Sequence, residues 1–303
     1  MTLKKLISIV LRVVRRLVRL LSAWEAKVGG MRETNISQVR RVIQSTAVHD
    51  MYGDEDEKYY RKQYWYWINT VLNELMIPKD GVGLDLGCGQ GRLTTLLANF
   101  LDHGSVTGID ISGSAIAQAR KYAEKEGVVN VEYCTDNILD GLKRYPDESV
   151  DVVLMTEVVF FFPEWRFALD EIIRVLKPEA VVCIAFRPLY HDALNLAGQR
   201  MLEQVNMLLT SRSGNLFGGP VKFTWQTSSE ITKLMRDELD MELLRLVGIG
   251  CCSGIEGDPL AHLVRPSSLD EKDADDLMKL ELALGPEIPD AGRYILAIAR
   301  KTF

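Results

Sequence analysis

The stretch Val82-Gly-Leu-Asp-Leu-Gly-Cys-Gly-Gln-Gly-Arg92 decides the fold. Its first half is a short apolar run with the composition of a buried strand. Gly87, Gly89 and Gly91 then fall at every second position, which makes a sharp turn that a ligand can approach closely. A helix is expected from about residue 91. Val106 to Asp110 supply a second apolar strand that ends in a carboxylate. Strand, glycine turn, helix and acid-ended strand together describe the ligand-holding half of a doubly wound α/β sheet.

The glycine spacing says which ligand. A dinucleotide fingerprint places its third Gly or Ala three residues after the second, and here that position is Arg92. Asp85 stands two residues before the first glycine. A pyrophosphate site relies on backbone N–H groups and the positive end of a helix, and a carboxylate at its mouth repels phosphate. The same carboxylate suits a cofactor with an ammonium and a sulfonium group and no phosphate, namely S-adenosylmethionine (SAM). Asp110 follows Gly91 by 19 residues, where a strand-end acid takes both ribose hydroxyls.

Four segments occur in order: Asp85-Leu-Gly-Cys-Gly-Gln-Gly91, Gly108-Ile-Asp-Ile-Ser112, Thr135-Asp136-Asn137, and Arg174-Val-Leu-Lys-Pro178 before an apolar strand. With them the chain resembles the class I SAM-dependent methyltransferases, in the broad group acting on small molecules. The resemblance covers residues 60–190 well and 226–303 loosely. It implies a Rossmann-like doubly wound sheet of seven strands with the last antiparallel, SAM as cofactor and methyl transfer as the activity. It also implies roles. Asp85 meets the methionine end of SAM, and Gly87, Cys88, Gly89 and Gly91 allow close approach. Asp110 binds the ribose, Ile111 covers an adenine face, and Asp136 with Asn137 takes the adenine edge. Thr156 completes the cofactor site.

Strands are expected near 82–86, 105–109, 130–134, 150–155 and 180–186, with helices near 91–101, 113–126 and 164–176. Continuous apolar strands between amphipathic helices mean a parallel sheet covered on both faces. Pro178 is expected between helix and strand, where it interrupts no ladder. Residues 81–187 are thus the SAM-binding core. Residues 188–225 match no core element and are expected to cap the substrate. A helix near 227–238, a strand near 241–251 and a last strand at 294–300 complete the core, with an insertion at 253–292 holding one helix near 269–284.

Composition sets the frame. The chain has 303 residues, 47% of them hydrophobic, enough for a sizeable α/β core. Cys88, Cys134, Cys183, Cys251 and Cys252 form no C-x-x-C pair, and no His/Cys cluster has zinc spacing. Reduced thiols in a cytoplasmic protein are expected. Residues 1–22 carry Lys4, Lys5, Arg12, Arg15, Arg16 and Arg19 and no acid. Removing those six from the 36 basic residues leaves 30 against 42 acidic ones. A body that acidic argues against a nucleic-acid substrate.

Projected as a helix, the six cations share one arc of about 120° and apolar residues fill the rest. Arginines break any run long enough for a transmembrane helix or a secretory signal. Residues 1–28 therefore read as a basic amphipathic helix. A purely cationic polar arc suits an in-plane helix on an anionic leaflet, which would make the protein peripheral on the inner face of a membrane through residues 1–24. A helix packed on the protein body or in a homodimer interface, with solvated arginines, is the alternative. Gly29-Gly30 ends the helix.

Residues 31–80 read as a helical lid. Tyr59 to Trp67 hold six aromatics in nine positions. Most suit a core, and Tyr60 and Tyr64 are candidates to line the substrate pocket, with Phe161 and Tyr190. After the fourth strand, related quinone- and sterol-type enzymes carry Glu-Val-Leu-Glu-His-Val. Glu157 is kept here, but Phe161 stands where the histidine would be, removing the usual base. His191, after the fifth strand, is the other base candidate. The acceptor is expected to be a small molecule: a lipid, a lipid-linked intermediate or another poorly soluble metabolite. A soluble sugar or secondary-metabolite methyltransferase and a non-catalytic SAM-binding scaffold remain alternatives.

Overall fold

The computed structural model describes residues 50–162, 164–215, 221–255 and 264–302. The basic segment 1–28 and the first part of the expected lid lie outside the described residues. Helix α1 (Glu55–Glu74) begins at Asp54, whose side chain accepts from the Glu57 amide, and carries three acids in its first turn. Both features satisfy the positive helix end.

The core follows as β1 (Val82–Leu86), α2 (Thr94–Phe100), β2 (Ser105–Asp110), α3 (Gly113–Glu126), β3 (Val131–Thr135), α4 (Ile138–Leu142), β4 (Val150–Met155), α5 (Trp165–Val175) and β5 (Leu176–Phe186). Later come β8 (Met241–Ile249), α9 (Glu271–Glu287) and β9 (Tyr294–Lys301). The sheet has seven strands in the order β3-β2-β1-β4-β5-β9-β8. Strands β1 to β5 pair in parallel, and β9 pairs antiparallel with both β5 and β8. The strand order therefore reverses between β1 and β4, and ligands of open α/β sheets bind beyond the carboxyl ends at such a point. Every residue of β4 is buried, as expected of a parallel strand with helices on both faces.

Two expectations need correction. Strand β5 starts at Leu176 and so contains Pro178. Leu176 pairs with Val150 and Val181 with Val152, so the residues between them bulge out. Proline has no N–H for a ladder, and Glu179 in this bulge adopts a left-handed φ of 67°. The first core helix starts at Thr94 rather than near 91, because Gly91 turns at φ 81°.

Residues 188–225 hold two helices, α6 (Leu189–Gly198) and α7 (Leu202–Ser211), and a hairpin of β6 (Ser213–Asn215) with β7 (Lys222–Thr224). Leu189, Leu196, Leu208 and Trp225 form a small core of their own, distinct from the main one. Helix α8 (Ser228–Lys233) starts with a reciprocal capping box between Thr227 and Glu230. It continues as a wider π turn over Leu234–Glu238.

Candidate active site

The glycine turn is pinned to β2: the amides of Gly87 and Cys88 both donate to the Ile109 carbonyl, at 2.7 and 3.1 Å. Gly87, Gly89 and Gly91 all take positive φ, at 76°, 53° and 81°. A side chain at Gly91 would run into the Tyr133 hydroxyl, whereas one at Gly89 would meet nothing within 4 Å. Open space over Gly89 is the cradle a ligand needs. Asp110 braces the turn from the second strand: one oxygen accepts from the Gly89 amide at 2.9 Å and the other from the Ser112 amide at 2.7 Å. Burial raises its pKa, and those backbone donors work the other way.

Asp85 is the penultimate residue of β1 and is buried. Its Oδ2 accepts from the Thr94 hydroxyl at 2.6 Å, while its Oδ1 is buried with no hydrogen-bonding partner among the described residues. Burial pushes its pKa up to about 6, with nearby Asp110 adding to the rise and Thr94 and Arg92 opposing it. An unpaired buried acceptor costs free energy that a donor would return. The ammonium of SAM is such a donor, and the open cradle at Gly89 adjoins it along the chain. The residues present fit that cofactor.

The next strand ends contribute Asp136 and Asn137. The Asp136 amide donates to the Asp110 carbonyl at 2.9 Å, which joins the ends of β2 and β3. The Asp136 carboxylate accepts from the Asn137 amide at 2.8 Å and pairs with Arg144. The Asn137 side chain caps α4 through the Leu139 amide. Ile111 is half-buried beside them, and Cys88 is buried in the turn.

A charged cluster lies between this half and α1. Arg92 is buried and reaches Glu57 of α1 with one nitrogen and Glu157 with the other, the latter at 2.5 Å. Glu157 follows Thr156, itself buried at the end of β4, and adopts a left-handed φ of 60°. A side chain of this size rarely tolerates that backbone. Burial raises the Glu57 pKa, and Arg92 opposes the rise. Tyr64 is fully buried, its hydroxyl without a hydrogen-bonding partner. Burial and then the neighbouring Glu157 and Tyr294 push its pKa well up. Beyond it the Phe160 ring stacks on Tyr294 at 5.8 Å and on Phe223 at 6.1 Å, with Phe161 edge-on at 5.0 Å. An aromatic wall thus flanks the carboxyl end of β4.

The structure brings Asp85, the glycine turn, Asp110, Asp136 and Asn137 together at one edge, and Glu157, Tyr64 and Phe161 beside them. The other three candidates make contacts outside this group. Tyr60 is buried and its hydroxyl donates to Ser253 at 3.1 Å, part of a network around buried Glu281. His191 is on the inner face of α6, its Nδ1 3.0 Å from the Ala291 carbonyl. Tyr190 is exposed on the same helix.

Four residues escaped the sequence reading. Arg92 entered it only as the residue that broke the dinucleotide pattern. Glu57 did not enter it at all. Thr94 holds Asp85. Tyr52 donates its amide to Gln90 of the glycine turn at 3.1 Å and stacks its ring on Tyr122 at 4.0 Å. The aromatic content before the first strand was the available signal for such a clasp. Among the described residues no group of acids, histidines and cysteines is placed to hold a metal, and no helix is long and apolar enough to cross a membrane.

Comparison with known proteins bears on this geometry. A family described as a methyltransferase domain matches residues 77–232. A probable methyltransferase, ltbC of Aspergillus luteorubrus, is 34% identical over 114 residues, which is 35% of this chain and 40% of that protein. The demethylmenaquinone methyltransferase of Geobacillus stearothermophilus is 26% identical over 171 residues, 53% of this chain and 71% of that one. Among solved structures, the N-methyltransferase NodS of Bradyrhizobium japonicum with S-adenosylhomocysteine superposes with a TM-score of 0.51 at 16% identity. That match covers 89% of this chain and all of NodS, and it bears on the fold alone.

Proposed function

Since this chain belongs to the methyltransferase-domain family and has the class I SAM-dependent fold, we propose that it methylates a poorly soluble small molecule at a membrane surface. The acceptor atom is an oxygen or nitrogen of a lipid, a lipid-linked intermediate or a similar metabolite. The observation that carries the cofactor half is the buried, unpartnered Oδ1 of Asp85 beside the open cradle at Gly89. The acceptor half is supported by the aromatic wall of Phe160, Phe161, Phe223 and Tyr294. It is supported also by a relative whose name gives demethylmenaquinone as its acceptor. The membrane half rests on the basic amphipathic segment 1–28.

When bound, SAM supplies a methyl group already activated on a sulfonium. The protein's work is to hold, align and keep water out. Asp85 takes the ammonium and Asp110 the ribose hydroxyls, while Asp136 and Asn137 stand at the adenine edge. Helix α1, locked down through Glu57 and Arg92, closes the site from above. A hydroxyl or protonated amine acceptor must lose a proton. Glu157 is engaged by Arg92. The His191 Nδ1 lies 3.0 Å from the Ala291 carbonyl, and in the tautomer that makes this bond Nε2 is the acceptor nitrogen of the ring. We assign the proton to His191 and a positioning role to Glu157.

Calorimetry with S-adenosylhomocysteine tests the cofactor site. Wild type should bind, and Asp110→Ala should lose about 1–3 kcal/mol, the cost of unmade hydrogen bonds to a charged group. Absence of binding to wild type refutes the reading. Methyl-labelled SAM with cell extract should then put label into the organic phase. Label confined to water-soluble sugars or metabolites favours the soluble alternative. Binding of SAM with no turnover in any extract favours the scaffold. Co-sedimentation with anionic vesicles, for the full chain and for one starting at Met31, checks the membrane half.

A further inference from the structure

We propose that the outer face of the α6–α7 hairpin is a second membrane contact, which seats the acceptor side of the site on an anionic lipid surface. The inference deepens the membrane reading and rests on it, but a different part of the chain carries it. Tyr190 and Leu194 of α6 are 48% and 73% exposed, and Leu202 and Leu209 of α7 are 65% and 48% exposed. Their placement is regular. At about 100° per residue, Tyr190, Leu194, Ala197 and Gly198 share one arc of α6, all four are exposed, and none is charged. Leu202 and Leu209 lie one above the other on α7, two turns apart. The opposite faces, with Leu189, Leu196 and Leu208, fill the segment's own small core with Trp225. The hairpin thus has two apolar sides, and among the described residues only one is used in packing.

Charge selects the partner. From Ala193 to Ser229 the only charged residues are Arg200, Glu203, Arg212 and Lys222, in a chain of net charge −6. Arg212 reaches Glu230. Arg200 and Lys222 are exposed at either end of α7 and its hairpin, with no ion pair among the described residues. Exposed leucines in a segment with three cations against one acid, Glu203 beside Leu202, match an element lying in the headgroup region of an anionic leaflet. Position supplies the use. Helix α6 starts three residues after β5 ends, so the segment borders the carboxyl edge of the sheet, and its Phe223 stacks on Phe160 of the aromatic wall. An apolar acceptor leaving the bilayer beneath the hairpin would reach the site without crossing water. The segment's base is anchored: buried Asp192 accepts from the Trp225 indole at 2.6 Å and pairs with Arg187 at the end of β5.

The test uses the full chain with phosphatidylcholine vesicles, with and without phosphatidylglycerol. Three proteins are compared: wild type, Leu194→Ser/Leu202→Ser/Leu209→Ser, and Arg12→Gln/Arg15→Gln/Arg16→Gln/Arg19→Gln. Co-sedimentation should show the leucine variant binding anionic vesicles at least about tenfold more weakly than wild type. Hydrogen exchange on wild type, which needs no variant to fold, should show residues 189–211 protected when those vesicles are added. Wild-type affinity in the leucine variant together with no protection overturns the proposal. If the arginine variant alone loses binding, the membrane reading stands and this inference falls. If wild type does not bind at all, the membrane reading falls and takes this inference with it. Concentration-dependent protection without lipid, with a dimer in light scattering that the leucine variant abolishes, assigns the face to a second copy and overturns it too.

Discussion

Asp85→Asn should act in opposite directions on the free protein and on its complex. Burial raises the Asp85 pKa from 3.8 to about 6. At ~1.4 kcal/mol per tenfold change in proton affinity, keeping this carboxylate ionised at neutral pH costs the folded chain about 3 kcal/mol. Between pH 3.8 and 6 the unfolded chain has released a proton that the folded chain still holds. The stability this group contributes is therefore full below about pH 4 and lost as pH rises through about 6. Asparagine does not titrate. Variant minus wild-type unfolding free energy, from urea titrations followed by fluorescence, should rise by about 3 kcal/mol from pH 4 to 7.5. The other carboxylates cancel in that difference. A constant offset of about 1–3 kcal/mol against the variant is expected, because the new amide donor has no acceptor at the Oδ1 position. Binding of S-adenosylhomocysteine, whose ammonium loses its anionic partner, should weaken at least about tenfold in calorimetry at pH 7.5. A difference that does not change with pH would refute the buried-carboxylate argument. Unchanged affinity would refute the assignment of the ammonium to Asp85.

Arg92→Met removes the shared cation from two buried carboxylates and should cost about 3–5 kcal/mol in urea unfolding. Adding Glu57→Gln and Glu157→Gln should restore most of that loss, and no restoration would mean the cluster acts through packing alone. Tyr64→Phe deletes a buried hydroxyl that neighbours Glu157 and makes no well-formed hydrogen bond among the described residues. Its unfolding free energy should stay within about 1 kcal/mol of wild type, S-adenosylhomocysteine should bind as before, and KM for the acceptor should rise. An unchanged KM removes Tyr64 from the acceptor site. His191→Gln should abolish the acidic limb of the pH profile of kcat/KM and leave cofactor affinity intact. Persistence of that limb assigns the base elsewhere.

The cofactor half was legible because its signals are local. Glycine spacing, a carboxylate two residues upstream and an acid at the next strand end all lie within 30 residues of one another, and each has one physical use. The sheet was legible for the same reason, since buried parallel strands are continuous apolar runs. The failures are long-range or exceptional. Pro178 marks a bulge inside β5 instead of its border, because the pairing with Val150 begins before the proline. The Glu57–Arg92–Glu157 bridge joins residues 35 and 65 positions apart, and charge pairing over that span leaves no periodic trace. Tyr60 and Tyr64 look equivalent in sequence. One donates to Ser253 and the other has no partner, and that difference depends on a residue some 190 positions away.

The position of β9 has a consequence for how the molecule is made. Strands β1 to β4 find all their neighbours among β1 to β5, so that part of the sheet can pair as synthesis proceeds. Strand β8 has a single neighbour, β9, which lies later in the chain and wedges between it and β5. Until residue 301 has emerged, β8 has no place in the sheet and the open edge of β5 is a template for pairing with other chains. The cofactor cradle can therefore mature before the β5–β9 border closes. A nascent chain stalled before residue 294 would expose that edge, and a chaperone matters most at that stage of synthesis.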